Sequence, residues 1–91
     1  MSKIEIKQIS EEEKQSLGIE NWSVWEKEIS EFPWEYGEKE SCYIIEGEAE
    51  IKDEDTGEKI IIKNGDFVIF SSGLRCIWKI NKKIKKYYKF S

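Results

Sequence analysis

Residues 3 to 9, K-I-E-I-K-Q-I, alternate apolar and polar positions, which is the period of a half-buried strand and predicts Ile4 and Ile6 on its inner face. The alternation then stops. Ser10 with Glu13 three residues later is a capping box, the acidic Glu11 to Glu13 suit the positive end of a helix dipole, and Gly18 is placed to end a short helix. From Asn21 the pattern returns to strand: W-S-V-W-E-K-E-I-S-E-F-P-W-E-Y carries Trp22, Trp25, Phe32, Trp34 and Tyr36, residue types that favour a pleated surface. Pro33, the only proline, marks an edge or a bulge, because it cannot donate to a ladder.

In an extended segment over 40 to 46, Glu40, Cys42 and Ile44 share one face and Ser41, Tyr43 and Ile45 the other. Either face can be the buried one. An inward Glu40 costs desolvation unless it is paired or lines a wet cavity, whereas an outward Glu40 leaves Tyr43 and Ile45 as core. Further on, E-A-E-I-K-D-E-D-T-G-E-K-I-I-I-K reads as a hairpin with its turn at Asp53 to Gly57. Asn64-Gly65-Asp66 is another tight turn, F-V-I-F a short buried strand, and Ser71-Ser72-Gly73 turns the chain again. The strand L-R-C-I-W-K-I puts Leu74, Cys76, Trp78 and Ile80 on one face and Arg75, Ile77 and Lys79 on the other, and a last strand, I-K-K-Y-Y-K-F, follows. Many short strands, closely spaced turns and one capped helix predict an all-β protein, a small sandwich or barrel with a short N-terminal helix.

Ninety-one residues form one domain, 1–91, with a core that leaves little room for unpaired polar groups. A net charge of -4 disfavours nucleic acid as a partner, since only the K-K-I-K-K run at Lys82 to Lys86 offers a positive surface, and that run reads as an edge strand whose lysines discourage stray pairing. No apolar run has membrane-spanning length and the start M-S-K-I-E-I-K shows no signal-peptide core, so a cytoplasmic protein is expected. In that compartment Cys42 and Cys76 are expected to be free thiols. There is no histidine, the commonest metal ligand and the usual base near neutral pH.

The segments W-E-Y-G-E-K-E-S-C-Y-I-I-E-G, N-G-D-F-V-I-F and G-L-R-C-I-W together resemble the cupin superfamily, and within it the small cupins grouped with ureidoglycine aminohydrolase. The first family motif has two histidines one residue apart, a glutamate, and a glycine seven residues after it. Glu40 and Gly47 match, with Trp34 and Tyr36 standing where the histidines would be. In the second motif Gly65 and Gly73 match, Ser71 replaces a proline and Cys76 stands at the histidine position. The resemblance implies a jelly-roll β-barrel. It implies that Trp34, Tyr36, Glu40, Cys42, Cys76 and Trp78 converge on the barrel interior as a ligand-binding wall, while strand parity takes Arg75 away from it, as a surface or interface ion-pair residue.

All three family histidines are missing, so the imidazole metal triad cannot be built. Glu40, Cys42 and Cys76 fall short of the four ligands of a closed zinc site, and no tightly held metal and no cofactor are expected. Three function classes stay open. One is a metal-free barrel that binds a small metabolite in an aromatic-lined pocket. Another is an enzyme acting on a small nitrogen-containing or carbonyl metabolite, with Glu40 and Cys76 as reactive groups and a non-histidine metal site as its variant. The third is a barrel filled with its own side chains that serves as a partner-binding module. A homodimer is expected, because Tyr43, Ile45 and the Ile4-Ile6 strand offer apolar surface that one small barrel would struggle to cover.

Overall fold

A computed structural model describes residues 3–91. Its framework is two long antiparallel strands, β4 (Glu40–Asp53) and β7 (Arg75–Phe90), paired with one another along most of their length. The shorter strands are β1 (Ile4–Lys7), β2 (Ser23–Lys27), β3 (Ser30–Glu35), β5 (Lys59–Lys63) and β6 (Phe67–Phe70). Four of the short strands each cover one half of a long one. On β7, β3 pairs with Arg75 to Ile80 and β2 with Ile84 to Tyr88; on β4, β6 pairs with Glu40 to Tyr43 and β5 with Glu48 to Lys52. β1 closes the outer side of β6. The result is a small jelly-roll barrel in which every pairing is antiparallel.

The long strands can wrap around a core because β4 is irregular at its middle. Register against β7 shifts between Ile44 and Ala49, and the buried set changes parity there, from Glu40, Cys42 and Ile44 to Ala49, Ile51 and Asp53. Gly47 sits at this bend with φ of 92°, and a Cβ built on it would lie 2.1 Å from the Lys83 carbonyl oxygen. No other residue type fits so close an approach of two backbones. Of the two faces open at 40 to 46, the chain therefore buries the one carrying Glu40.

The helix α1 (Glu11–Leu17) has the ends its sequence predicts: Ser10 Oγ accepts the Glu13 N–H at 3.1 Å, and Gly18 takes the left-handed conformation at φ of 66°. A 3₁₀ turn, Ile19–Asn21, drops Ile19 into full burial before β2 begins. The core is one cluster, running from Ile4 through Cys42, Ile44, Ile51, Ile62, Phe70 and Trp78 to Ile84.

Four expectations change. The strand read from Asn21 is two strands, β2 and β3, with Trp22 outside both; both lie along β7, and Pro33 falls in β3, whose one partner strand is β7. The two C-terminal strands are one, β7. Lys82 to Lys86 is accordingly no edge: Lys86 has Ile44 of β4 on one side and Trp25 of β2 on the other. Lys83 and Lys85 point outward to Glu28 at 3.5 Å and Glu26 at 3.9 Å, which satisfies them on the surface. Finally, Ile4 is buried but Ile6 is 37 % exposed, because β1 lies on the rim and only its first residue reaches the core.

Candidate functional site

An aromatic cavity of about 200 Å³ opens at one end of the barrel, lined by Trp25, Phe32, Trp34, Tyr36, Trp78, Tyr88 and Phe90, with Glu40 and Lys86 as its charged residues. Strand register assembles it. Phe32 lies opposite Trp78, Trp34 opposite Cys76, Trp25 opposite Lys86, and Glu40 between Phe70 and Phe90. Ring packing then stiffens the wall: Tyr36 stacks on Phe70 with centroids 4.8 Å apart, Phe32 stacks on Trp78 at 6.2 Å, and Trp25 meets the Trp78 ring edge-on at 5.8 Å. The Trp78 indole N–H donates to the Tyr36 hydroxyl at 3.3 Å, so the buried polar atoms of the wall have partners.

The electrostatic centre is an ion pair that the barrel encloses. Lys86 Nζ donates to Glu40 Oε2 at 2.5 Å, and the two residues are 4 % and 3 % exposed. Four rings surround the same ammonium: Trp78 at 4.8 Å, Trp25 at 5.0 Å, and Phe70 and Tyr88 at 5.9 Å from nitrogen to centroid. Ring faces are electron-rich, so this cage stabilises the cation where water has been removed. The other two buried carboxylates have structural duties instead. Asp53 accepts the backbone N–H groups of Asp55 and Thr56 in the hairpin turn, and Asp66 accepts from Gln8 and from the Lys63 N–H.

Trp34, Tyr36, Glu40 and Trp78 are on the cavity wall. Cys42 and Cys76 are not among its lining residues: both are buried in the core as free thiols, Cys42 facing Val68 and Tyr88, and Cys76 donating weakly to the Trp34 carbonyl at 3.6 Å. The reason lies in their depth, since each is flanked on the inner face by larger side chains. Burial pushes the Cys42 thiol up to about 12, against the pull of Lys86, and pushes the Cys76 thiol up to about 12 with help from Asp53. Both therefore stay protonated near neutral pH and make poor nucleophiles. Burial, reinforced by the Glu40 charge, also raises the Tyr36 hydroxyl far above its ordinary value, so it acts as a neutral hydrogen-bonding group. Arg75 lies outside, bonded to Asp55 at 2.9 Å.

Lys86 is the residue the sequence reading passed over. Its signal was present in parity, because it shares a strand face with Ile84 and Tyr88, but it stands in a run of lysines that reads as a solvated edge. Its position also bears on how a metal would fit. A cupin metal would need donors at Trp34 and Tyr36 and a free carboxylate at Glu40; an indole and a neutral phenol stand at the first two, and an ammonium holds the third. Among the described residues no three of His, Cys, Asp or Glu form a group able to hold a metal ion. The site does not fit the family's metal.

Comparison with known proteins agrees with this architecture. The chain matches 97 % of its length to 99 % of a DUF861 family protein from Thermotoga maritima, at 43 % identity and a TM-score of 0.94. A second protein of unknown function in the DUF861 family, from Pseudomonas syringae, shares 25 % identity over 75 % of this chain and 29 % of its own, with a TM-score of 0.67. A putative ethanolamine utilization protein Q from Salmonella typhimurium, 20 % identical over 96 % of this chain and 68 % of its own, shares the fold at a TM-score of 0.66. A search of curated proteins found no match. Residues 14–88 match the EutQ-like cupin domain, and the chain therefore belongs to that family within the cupin superfamily.

Proposed function

We propose that this cupin binds a small metabolite bearing a carboxylate or carbonyl oxygen, without a tightly held metal. One observation carries the reading: an otherwise aromatic cavity has a buried ammonium-carboxylate pair in its wall. An ammonium has three N–H donors, and one serves Glu40. A ligand oxygen is the natural acceptor for another, while its apolar body takes the place of water against Trp25, Phe32 and Trp34. At about 30 Å³ for each water displaced, the volume admits roughly six or seven waters' worth of ligand, a compound of a few carbons. Kinship with the ureidoglycine aminohydrolase-like group, inferred from E-S-C-Y-I-I-E-G and its companion phrases, supports a small nitrogen-bearing or carbonyl compound. We place the protein in the cytoplasm; no helix among the described residues is long and apolar enough to cross a membrane.

Tryptophan fluorescence titrated with a panel of small carboxylates and carbonyl compounds tests the reading, because Trp25, Trp34 and Trp78 line the cavity. Saturable quenching is expected for some members, with affinity reduced at least about tenfold, or about 1.4 kcal/mol, in Lys86→Met and in Trp34→Ala. Elemental analysis of protein purified without added metal is expected to show substoichiometric metal. Absence of quenching by every compound, with native mass spectrometry showing only the bare chain, would refute the ligand. A stoichiometric metal lost in Glu40→Gln or Cys76→Ala would refute the metal-free site.

A further inference from the structure

We propose that Lys86 is a carbonyl-capturing amine, forming a reversible imine with a small aldehyde or ketone that enters the aromatic cavity; this rests on the binding reading above. Lysine normally runs its stem along apolar surface and leaves its amine in water. Lys86 does the opposite, with its nitrogen enclosed and bonded to Glu40. Stability does not require this, because a buried ion pair is commonly no better than two apolar residues of similar volume. What the pair supplies is chemistry. To act as a nucleophile the ammonium must first give up a proton, and the carboxylate at hydrogen-bonding distance is the group that can take it, beside a cavity with room for a carbonyl compound.

The step balances within the site. Glu40 accepts one proton from the ammonium, and the freed nitrogen lone pair forms a bond to the carbonyl carbon. The C=O π pair moves to oxygen, which takes the proton back from Glu40 to give a neutral hydroxyl. The nitrogen of this carbinolamine then forms the C=N bond while the C–O bond breaks, and the hydroxyl leaves as water with a second proton drawn from nitrogen through Glu40. The sum is ammonium plus carbonyl to iminium plus water, with no oxidant or reductant.

The product is a cation in the place of a cation. Glu40 and the rings of Trp78 and Trp25, at 4.8 Å and 5.0 Å from the nitrogen, stabilise an iminium by the same contacts that stabilise the ammonium. The carbonyl compound's remaining atoms occupy the cavity, whose volume limits the substrate to a few carbons.

Trapping with cyanoborohydride provides the test. The wild-type protein is incubated with glyoxylate, pyruvate or acetaldehyde, reduced, and weighed intact. For at least one probe, a single addition equal to the carbonyl compound less one oxygen atom is expected, and peptide mapping should locate it on Lys86 at least tenfold faster than on any other lysine. Lys86→Arg keeps a cation beside Glu40 but cannot form the imine, so it should lose the adduct. Glu40→Gln should slow capture at least tenfold. Adducts spread over surface lysines with Lys86 unlabelled would overturn the proposal, and mapping on the wild-type chain makes that outcome independent of whether any variant folds. If quenching by the same probes persists while Lys86 stays unlabelled, only the imine fails; if quenching is absent too, the binding reading fails with it.

Discussion

Glu40 and Lys86 are the two side chains whose burial most needs an explanation, and their energetics follow from their being enclosed together. Removing one partner leaves the other charged and unpaired in a low-dielectric interior, so Glu40→Leu and Lys86→Met should each cost about 3 to 5 kcal/mol. Replacing both removes the desolvation together with the attraction. The double variant should recover most of the loss, to within about 1 kcal/mol of wild type. Urea unfolding of the four proteins measures this, and additive losses in the double variant would show that the two charges are not coupled. Glu40 as a special position was legible in the sequence, since a carboxylate on an apolar face is costly wherever it points inward. Its partner was not, because Lys86 lies forty-six residues away and no local pattern connects them.

At the scale of elements, the bend in β4 is the feature on which the cavity depends. Without the register shifts between Ile44 and Ala49, β4 would present one parity along its length, and Glu40 and Ile51 could not both face inward. Gly47 permits the shift by letting the Lys83 carbonyl approach where a Cβ would stand. Gly47→Ala is expected to destabilise the fold by about 3 kcal/mol or more, from left-handed strain and a backbone overlap that no rotamer relieves. Thermal unfolding compared with Gly57→Ala tests this. Gly57 also has a positive φ, 77°, but a Cβ there meets nothing within 4 Å, so its loss should be strain alone and clearly smaller. The helix shows the other extreme: Ser10, Glu13 and Gly18 mark its ends because capping acts within three or four residues.

For the whole molecule, we propose a homodimer, on narrower ground than the apolar pattern suggests. Ile4 belongs to the core, and Lys14 lies over the Tyr43 ring at 4.7 Å, so neither offers a bare patch. Ile6, Leu17, Val24, Ile29, Trp34, Ile61 and Phe90 stay exposed among the described residues, and a second copy of the chain is the partner proposed to cover part of them. Light scattering at micromolar concentration should give twice the chain mass of 10.8 kDa. A monomer mass would refute the dimer.

The sequence by itself determined the strand faces, the turns, the helix ends and the cupin spacing, because these depend on alternation, capping and glycine placement over a few residues. It also carried Trp34, Tyr36, Glu40 and Trp78 as a group, through the motif spacing. Only the tertiary structure decided that β7 is a single strand held between β4 and the pair β2 and β3, and hence that Lys86 points inward while Lys83 and Lys85 point out. It likewise separated Cys42 and Cys76 from the cavity wall. Strand parity states which residues share a face; whether that face ends in a cavity or in packed core depends on the bulk of neighbours contributed by strands far away in sequence, and pairing across the barrel sets which those neighbours are.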